Sequence, residues 1–342
     1  MTDRARAIFD AVLPARLPDP VSFSAAAPSN IALSKYWGKR DAGLNLPLNS
    51  SLSISLAEWG TTTRVEPARD GTDAVWLNGA RLAPETGFAR KVVAFADRFR
   101  RGQTLPLHVR TENTIPTAAG LASSASGFAA LTRALAGSFG LDLADDTLSM
   151  LARFGSGSAT RSLWHGFARW ERGTREDGTD SFARPLPEVW PEFRIAIVRV
   201  DTGPKSQSSR DGMGHTVATS PLFAGWPAQA EADCAAIEAA IEARDFIRLG
   251  EVTEANALGM HATMIAARPA LAYLKPESWQ VLDRLWAARR DGLEAYATMD
   301  AGANVKLVFL EGSTSRIAEL FPDAAIVEPF GAAAKFPGQP RP

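Results

Sequence analysis

One cysteine in 342 residues, Cys234, leaves no partner for an internal disulfide and suits a reducing compartment. Ile237 and Ile241 share its helical face, which reads as a small buried apolar residue. Charge of either sign is scarcely in excess: 37 basic and 38 acidic side chains give −1, without the basic surplus of a nucleic-acid-binding chain. No apolar run reaches the length of a membrane span, so neither nucleic acid nor a membrane is expected as partner. The histidines His108, His165, His215 and His261 lie far apart without ligand spacing, which argues against structural zinc. A Gly-x-Ser-x-Gly elbow is missing, although spacing alone leaves a Ser/His/Asp triad open. Internal repeats are absent too.

What is present is ordinary for a globular chain: 46% hydrophobic and 22% charged residues. Near the start, Arg4, Arg6 and Arg16 mingle with Ile8, Phe9, Val12 and Leu13. Asp3, Asp10 and Asp19 speak against an organelle transit peptide, so a short amphipathic helix in a cytoplasmic protein is expected. Period-two alternation at Ser51–Leu56 sets serines on one strand face and Leu52, Ile54 and Leu56 on the other. Asn78-Gly79 between short apolar runs predicts a hairpin. Leu105, Leu107 and Val109 predict a further strand, so the first half reads as largely hairpin-linked strands followed by helices. Turn formers from Gly178 to Pro191 mark a domain seam. Beyond it, strands are expected at Arg194–Val200, Tyr296–Met299 and Val305–Leu310, with helices at Pro227–Arg244, Asp245–Met264 and Glu277–Arg290. The mixed order gives an α+β fold. Residues 1–20 form an N-terminal extension, 21–190 and 191–330 two domains, and 331–342 a flexible tail.

Four polar, small-residue islands interrupt these patterns. The run Asn113–Ser126 packs Gly120, Ser123 and Ser124 ahead of a helical pattern at Ala125, Phe128, Leu131 and Leu135. Backbone N–H groups of such a loop, with the positive end of a helix behind them, suit a nucleotide phosphate. No Gly-Lys-Ser/Thr follows the glycine, so it is not a Walker loop. Tight helix packing explains a Gly/Ala/Ser run equally well in isolation. In Ala27–Arg40, Lys35 and Lys39 are four apart, on one face of a strand or helix, and would together suit a phosphorylated anion. The plain alternative is a solvated basic edge, which Tyr36 and Trp37 disfavour. Gly155–Arg161 offers Ser156 and Ser158 near a helix start, with Arg161 as a fork for carboxylate or phosphate. By itself, this reads more readily as an N-cap with a surface arginine. Met299–Asn304 places Asp300 at a strand end, either as a turn former or as a carboxylate facing a cavity.

Together the islands resemble the diphosphomevalonate decarboxylases, members of the GHMP kinase superfamily, from about Ala27 to Phe309. The markers are Asn30-Ile-Ala-Leu-Ser-Lys-Tyr-Trp-Gly-Lys39, Leu46-Pro-Leu-Asn-Ser-Ser51 and Pro116-Thr-Ala-Ala-Gly-Leu-Ala-Ser-Ser124. Ser156-Gly-Ser-Ala-Thr-Arg-Ser-Leu163, Gly212-Met213 with Thr216-Val-Ala-Thr-Ser220, and Asp300-Ala-Gly complete the ordered set. Departures are Ala303, where many relatives carry proline, His165, where glycine is frequent, and Leu258-Gly-Met-His-Ala262.

The resemblance implies a two-part fold: an N-terminal ribosomal-protein-like α+β domain and a C-terminal ferredoxin-like domain, with the active site in the cleft. It implies decarboxylation of mevalonate 5-diphosphate to isopentenyl diphosphate with ATP and Mg²⁺, in a homodimer such as the family commonly forms. A phosphomevalonate decarboxylase using the monophosphate, and a mevalonate 3-kinase, are the alternatives. By the family pattern Asp300 is the base or orienting group, Lys35 its ion-pair partner, and Arg161 with Asn30 holds the C1 carboxylate. Tyr36, Lys39, Ser156, Ser158, Ser209 and Arg210 take the diphosphate. Gly120, Ala122, Ser123 and Ser124 cradle the ATP phosphates, Ser124 nearest the metal. Lys205, in the polar loop Gly203–Met213, reaches the γ-phosphate once that loop closes.

Overall fold

The computed structural model describes residues 3–115, 124–201, 203 and 207–331. In chain order the elements are α1 (Asp3–Val12), β1 (Phe23–Ser34), β2 (Lys39–Asp41), β3 (Leu46–Pro47), β4 (Ser51–Pro67), β5 (Ala74–Leu77), β6 (Ala80–Arg81), α2 (Gly87–Arg100), β7 (Leu107–Asn113), α3 (Ser124–Ser138) and α4 (Asp145–Ala152). There follow β8 (Phe167–Trp170), β9 (Ala183–Pro185), β10 (Phe193–Val198), α5 (Ser209–Thr219), α6 (Trp226–Glu242), α7 (Phe246–Ile265), α8 (Pro276–Arg290), β11 (Ala295–Met299), β12 (Val305–Leu310), α9 (Thr314–Leu320) and β13 (Ala325–Val327). A 3₁₀ segment, Gly157–Leu163, lies between α4 and β8.

Among the described residues, β4 organises the first sheet. Its early half pairs with β8 and its later half with β7, while β1 runs antiparallel along its other edge. Asn78 and Gly79 both take positive φ, the backbone that a tight β5–β6 hairpin requires. The hairpin expectation does not extend further along this edge. β5 and β7 pair in parallel, with α2 as the crossover between them. The second sheet runs β11-β12-β10-β13, antiparallel throughout.

The apolar face of β4 (Leu52, Ile54, Leu56) joins Ile31 and Leu33 of β1 against Phe193, Ile195 and Ile197 of β10 and Ile237 and Ile241 of α6. Thus one core ties the two sheets together. The serine face of β4 is equally buried and is satisfied by hydrogen bonds: Ser51 Oγ accepts from Arg161 (2.5 Å) and Ser55 Oγ from the Gly166 N–H (2.9 Å). A second core holds α2, α3 and β7, and α1 belongs to it. Phe9 is fully buried against Phe99 and Phe154, with Ile8 and Leu13 beside it. Each such side chain contributes about 1.5–3 kcal/mol, so the N-terminal segment is an integral part of this core. No described helix is long and apolar enough to cross a membrane.

Candidate active site

β1 delivers the first island to the cleft and then stops. Lys35 to Gly38 form a turn, so Lys35 and Lys39 share neither a strand nor a helix. Gly38 has φ +114°, and a Cβ there would meet Phe223 at 2.7 Å and Leu48 at 2.9 Å, so the turn requires glycine. Its backbone is held on several sides. The Lys35 N–H donates to Asn256 Oδ1 (2.8 Å), the Lys35 carbonyl accepts from Asn49 (2.8 Å), and the Trp37 carbonyl accepts from Trp226 Nε1 (2.8 Å). Asn256 is in turn anchored on Asp233 of α6 at 2.8 Å. Lys35 is therefore no solvated edge residue. Its side chain is 2% exposed and its Nζ reaches Asp300 Oδ1 at 2.9 Å.

Asp300 lies just past β11. Its carbonyl closes a turn with the Gly302 N–H (2.7 Å), while its carboxylate, 40% exposed, faces the cleft. Oδ2 takes a second lysine, Lys306 of β12, at 3.0 Å. Burial opposes ionisation of this carboxyl. Lys306 and Lys35 outweigh it and hold Asp300 well below the usual carboxylate range. Asp300 in return offsets part of the burial that draws the Lys35 ammonium down. His261 of α7 sits against the Asp300 backbone, and burial pushes it down to about 4, so it is neutral at pH 7.

Arg161 lies in the 3₁₀ segment and is buried, contrary to the surface N-cap reading; burial lowers it to about 10, which still leaves it charged. Asn30 of β1 donates to the Ser158 carbonyl (3.1 Å) and to Ser162 Oγ (2.7 Å), which ties β1 to this segment. Ser156 and Ser158 place their hydroxyls 3.1 Å apart. At Gly157 a Cβ would meet the Tyr36 ring at 2.7 Å and the Trp170 ring at 2.9 Å, so glycine lets the serines approach this edge-to-face aromatic pair. Tyr36 Oη is buried with no hydrogen-bond partner among the described residues, and burial raises its pKa. Burial, with Arg210 alongside, lowers the Lys39 ammonium to about 8.

The expected polar loop becomes helix α5 from Ser209 onward, capped by Ser208, whose hydroxyl accepts from the Asp211 N–H at 3.2 Å. Ser209 and Arg210 thus stand on a helix N-terminus, where the backbone itself favours an anion. One cavity of about 700 Å³ is lined by Asn30, Lys35, Tyr36, Lys39, Ser124, Ser156, Ser158, Arg161, Ser209, Arg210 and Asp300. Ser124 opens α3, at one side of this cavity. Gly120, Ala122, Ser123 and Lys205 lie outside the described residues. The described residues hold no cluster of three or more His, Cys, Asp or Glu side chains able to cage a metal. A divalent ion here would have to be held largely by phosphate oxygens, the usual habit of Mg²⁺, with Ser124 the hydroxyl at hand.

Three features escape the motif reading. Lys306 interrupts the apolar strand Val305-Lys-Leu-Val-Phe309, and that charge was the available signal. Met213 and Met260 lie in stretches that the resemblance already singles out, but those stretches do not show their part as an apolar wall beside Ala301 and Trp37. Asn256 and Asp233 support Lys35 from α7 and α6 and have no local signature.

Comparison with known proteins agrees with this arrangement. Residues 27–183 match the diphosphomevalonate decarboxylase-like N-terminal domain, and residues 195–332 the mevalonate 5-diphosphate decarboxylase C-terminal domain. The diphosphomevalonate decarboxylase of Aspergillus fumigatus is 40% identical over 315 residues, which cover 85% of this chain and 78% of that protein. The crystal structure of mevalonate diphosphate decarboxylase from Staphylococcus aureus superposes with a TM-score of 0.85 at 37% identity, covering 90% of this chain and 95% of that one. A further solved relative, MDDEF in complex with MVAPP, AMPPCP and magnesium, gives 0.84 at 38% identity, covering 90% and 96%. With both halves of the chain matched, the protein belongs to the diphosphomevalonate decarboxylase family.

Proposed function

We propose that this chain decarboxylates mevalonate 5-diphosphate at the expense of ATP, giving isopentenyl diphosphate, ADP, phosphate and carbon dioxide. The observation that carries the reading is the lysine-held carboxylate of Asp300 in the same cavity as the start of α3 and as Lys39 and Arg210, which have no ion-pair partner among the described residues. Relatives bear the name of the diphosphate enzyme, and one was solved with MVAPP, AMPPCP and magnesium, which favours the diphosphate over the monophosphate and decarboxylation over simple 3-phosphorylation.

The chemistry asks four things of the protein. Asp300 accepts a hydrogen bond from the tertiary 3-hydroxyl and turns its oxygen toward the γ-phosphoryl group. Transfer breaks the γ-phosphoryl bond to ADP and forms the 3-phosphate, the hydroxyl proton passing by way of Asp300 to phosphate oxygen; the C–O bond at C3 then breaks with its electron pair leaving on phosphate. Arg161, with Asn30, holds the C1 carboxylate so that the C1–C2 electron pair becomes the new double bond as carbon dioxide departs. Lys39, Arg210, Tyr36, Ser156, Ser158 and Ser209 grip the 5-diphosphate and fix the reacting carbons against that frame. Met213, Met260 and Trp37 keep water from the carbon that becomes electron-deficient. When bound, Mg²⁺ neutralises charge on the ATP phosphates, with Ser124 at its side. Gly120, Ala122, Ser123 and Lys205 complete the phosphate site in this reading.

The same reading divides the chain at residue 190, with the ATP loop in the first domain and Asp300 in the second, in a cytoplasmic homodimer whose mass light scattering would report. Its test is direct: supply ATP, Mg²⁺ and C1-labelled mevalonate 5-diphosphate or 5-phosphate and count carbon dioxide and ADP. Equimolar release from the diphosphate is expected. ADP without carbon dioxide, or release from the monophosphate alone, contradicts it.

A further inference from the structure

β12 is buried along its length up to Leu310, and every neighbour of Lys306 on it is apolar. An ammonium group in such a strand is costly unless it is paired, and an apolar side chain would pack there at no such cost. Lys306 is nonetheless present, 4% exposed, and its charged contact is Asp300 Oδ2 at 3.0 Å, with the Asn304 carbonyl at 3.4 Å. The ladder explains the reach. Thr298 pairs with Lys306 and Met299 with Val305, so Asp300 is the first residue beyond the paired part of β11 and comes back over the lysine.

Lys35 occupies the other oxygen, Oδ1, from the turn after β1. With one buried lysine on each oxygen, the carboxylate cannot rotate about its Cβ–Cγ bond without leaving a buried ammonium unpaired. Its remaining lone pairs stay directed at the cleft.

Building on the functional reading above, we propose that Lys306 is a positioning residue for the reaction, one that locks the plane and the charge of Asp300 before substrate arrives. The groups around Asp300 are Lys35 from the β1 turn, Lys306 from β12, Arg161 from the 3₁₀ segment and neutral His261 from α7. All the charged ones are cations, so Asp300 receives a hydrogen bond from an alcohol without retaining its proton. Removing Lys306 frees Oδ2 to turn and takes away one of the two direct ion pairs that keep the carboxyl ionised.

The experiment compares Lys306→Met and Lys306→Arg with the unaltered full chain. Carbon dioxide release from mevalonate 5-diphosphate is followed across the acid range, and the Asp300 carboxyl is titrated without ligand by ¹³C NMR, assigned through Asp300→Asn. The methionine variant is expected to lose roughly tenfold to a hundredfold in kcat with KM within about twofold, the scale of a misplaced reacting group. Its kcat should acquire a decline toward acid pH that the unaltered protein lacks, and its Asp300 signal should begin to titrate at higher pH. The arginine variant should recover much of the rate. An unchanged kcat, a loss confined to KM, an unmoved Asp300 titration, or equal losses in both variants with lowered melting temperatures overturns the proposal. Should the methionine variant fail to fold, Lys306→Gln carries the same comparison, since it keeps a donor and drops the charge. If the unaltered chain releases no carbon dioxide, the functional reading fails, and the carboxyl titration still decides whether Lys306 locks Asp300.

Discussion

The two ends of the cleft are built on opposite plans. At the Asp300 end each carboxylate oxygen has its own buried lysine, so the one carboxylate is paired on both sides within the protein. At the other end, among the described residues, no carboxylate lies within ion-pair distance of Lys39 or Arg210, and Tyr36 Oη is buried with no hydrogen-bond partner. The first end is pre-organised and should change little when substrate enters. The second holds Lys39, whose proton affinity burial and the neighbouring Arg210 lower until an anion arrives. Chemistry belongs to the finished end and affinity to the unfinished one.

Substitutions at the two ends should therefore fail differently. The largest effect is expected from Asp300→Asn, which keeps the shape and removes the charge; kcat should fall by roughly three orders of magnitude, measured by carbon dioxide release at saturating substrate. Arg161→Gln comes next, because a neutral amide loses the fork that aligns the C1 carboxylate; about a hundredfold loss, mainly in kcat, is expected from steady-state kinetics. Lys39→Met should act on KM. Loss of a charge-assisted contact worth about 1.5–3 kcal/mol raises it roughly tenfold to a hundredfold, while kcat stays within a small factor. A KM effect at Asp300 matched by a kcat effect at Lys39 would invert the comparison and break it.

The smallest effect comes from pH. Lys39 is lowered to about 8 by burial and by Arg210, so its ammonium is charged below that value and neutral above it. Binding of the diphosphate favours the charged form, hence KM should rise toward tenfold per pH unit as pH climbs past about 8 and stay flat below. Lys39→Arg, charged throughout, should flatten that rise. KM profiles of the two proteins that coincide above pH 8 would remove Lys39 from diphosphate binding.

Much of this was legible in the sequence, for a physical reason. A phosphate site needs small residues, hydroxyls and cations in short runs, and such runs stand out against the periodic apolar pattern of strands and helices. The Asn78-Gly79 hairpin and the helices α6, α7 and α8 are likewise local signals and stand within about two residues of their expected places, while the alternation at Ser51–Leu56 marks only the start of a strand that runs on to Pro67. What local signals do not contain is which ends meet. Lys35 and Asp300 are 265 positions apart, and nothing in either island names the other. The parallel β5–β7 pairing depends on α2 crossing over between them, and an antiparallel hairpin next door gives no hint of it. Arg161 reads as a surface residue until Ser51, 110 positions away, is seen to accept its hydrogen bond. Lys306 is the instructive case: its anomaly is visible, one charge in an apolar strand, but its meaning depends on the β11–β12 register.

The central claim is that Asp300 serves the reaction and the opposite end serves binding. Calorimetric titration of Asp300→Asn with mevalonate 5-diphosphate tests it most directly. The account predicts an affinity within about twofold of the unaltered protein in a variant whose turnover is nearly gone. An affinity that collapses with the turnover would contradict it.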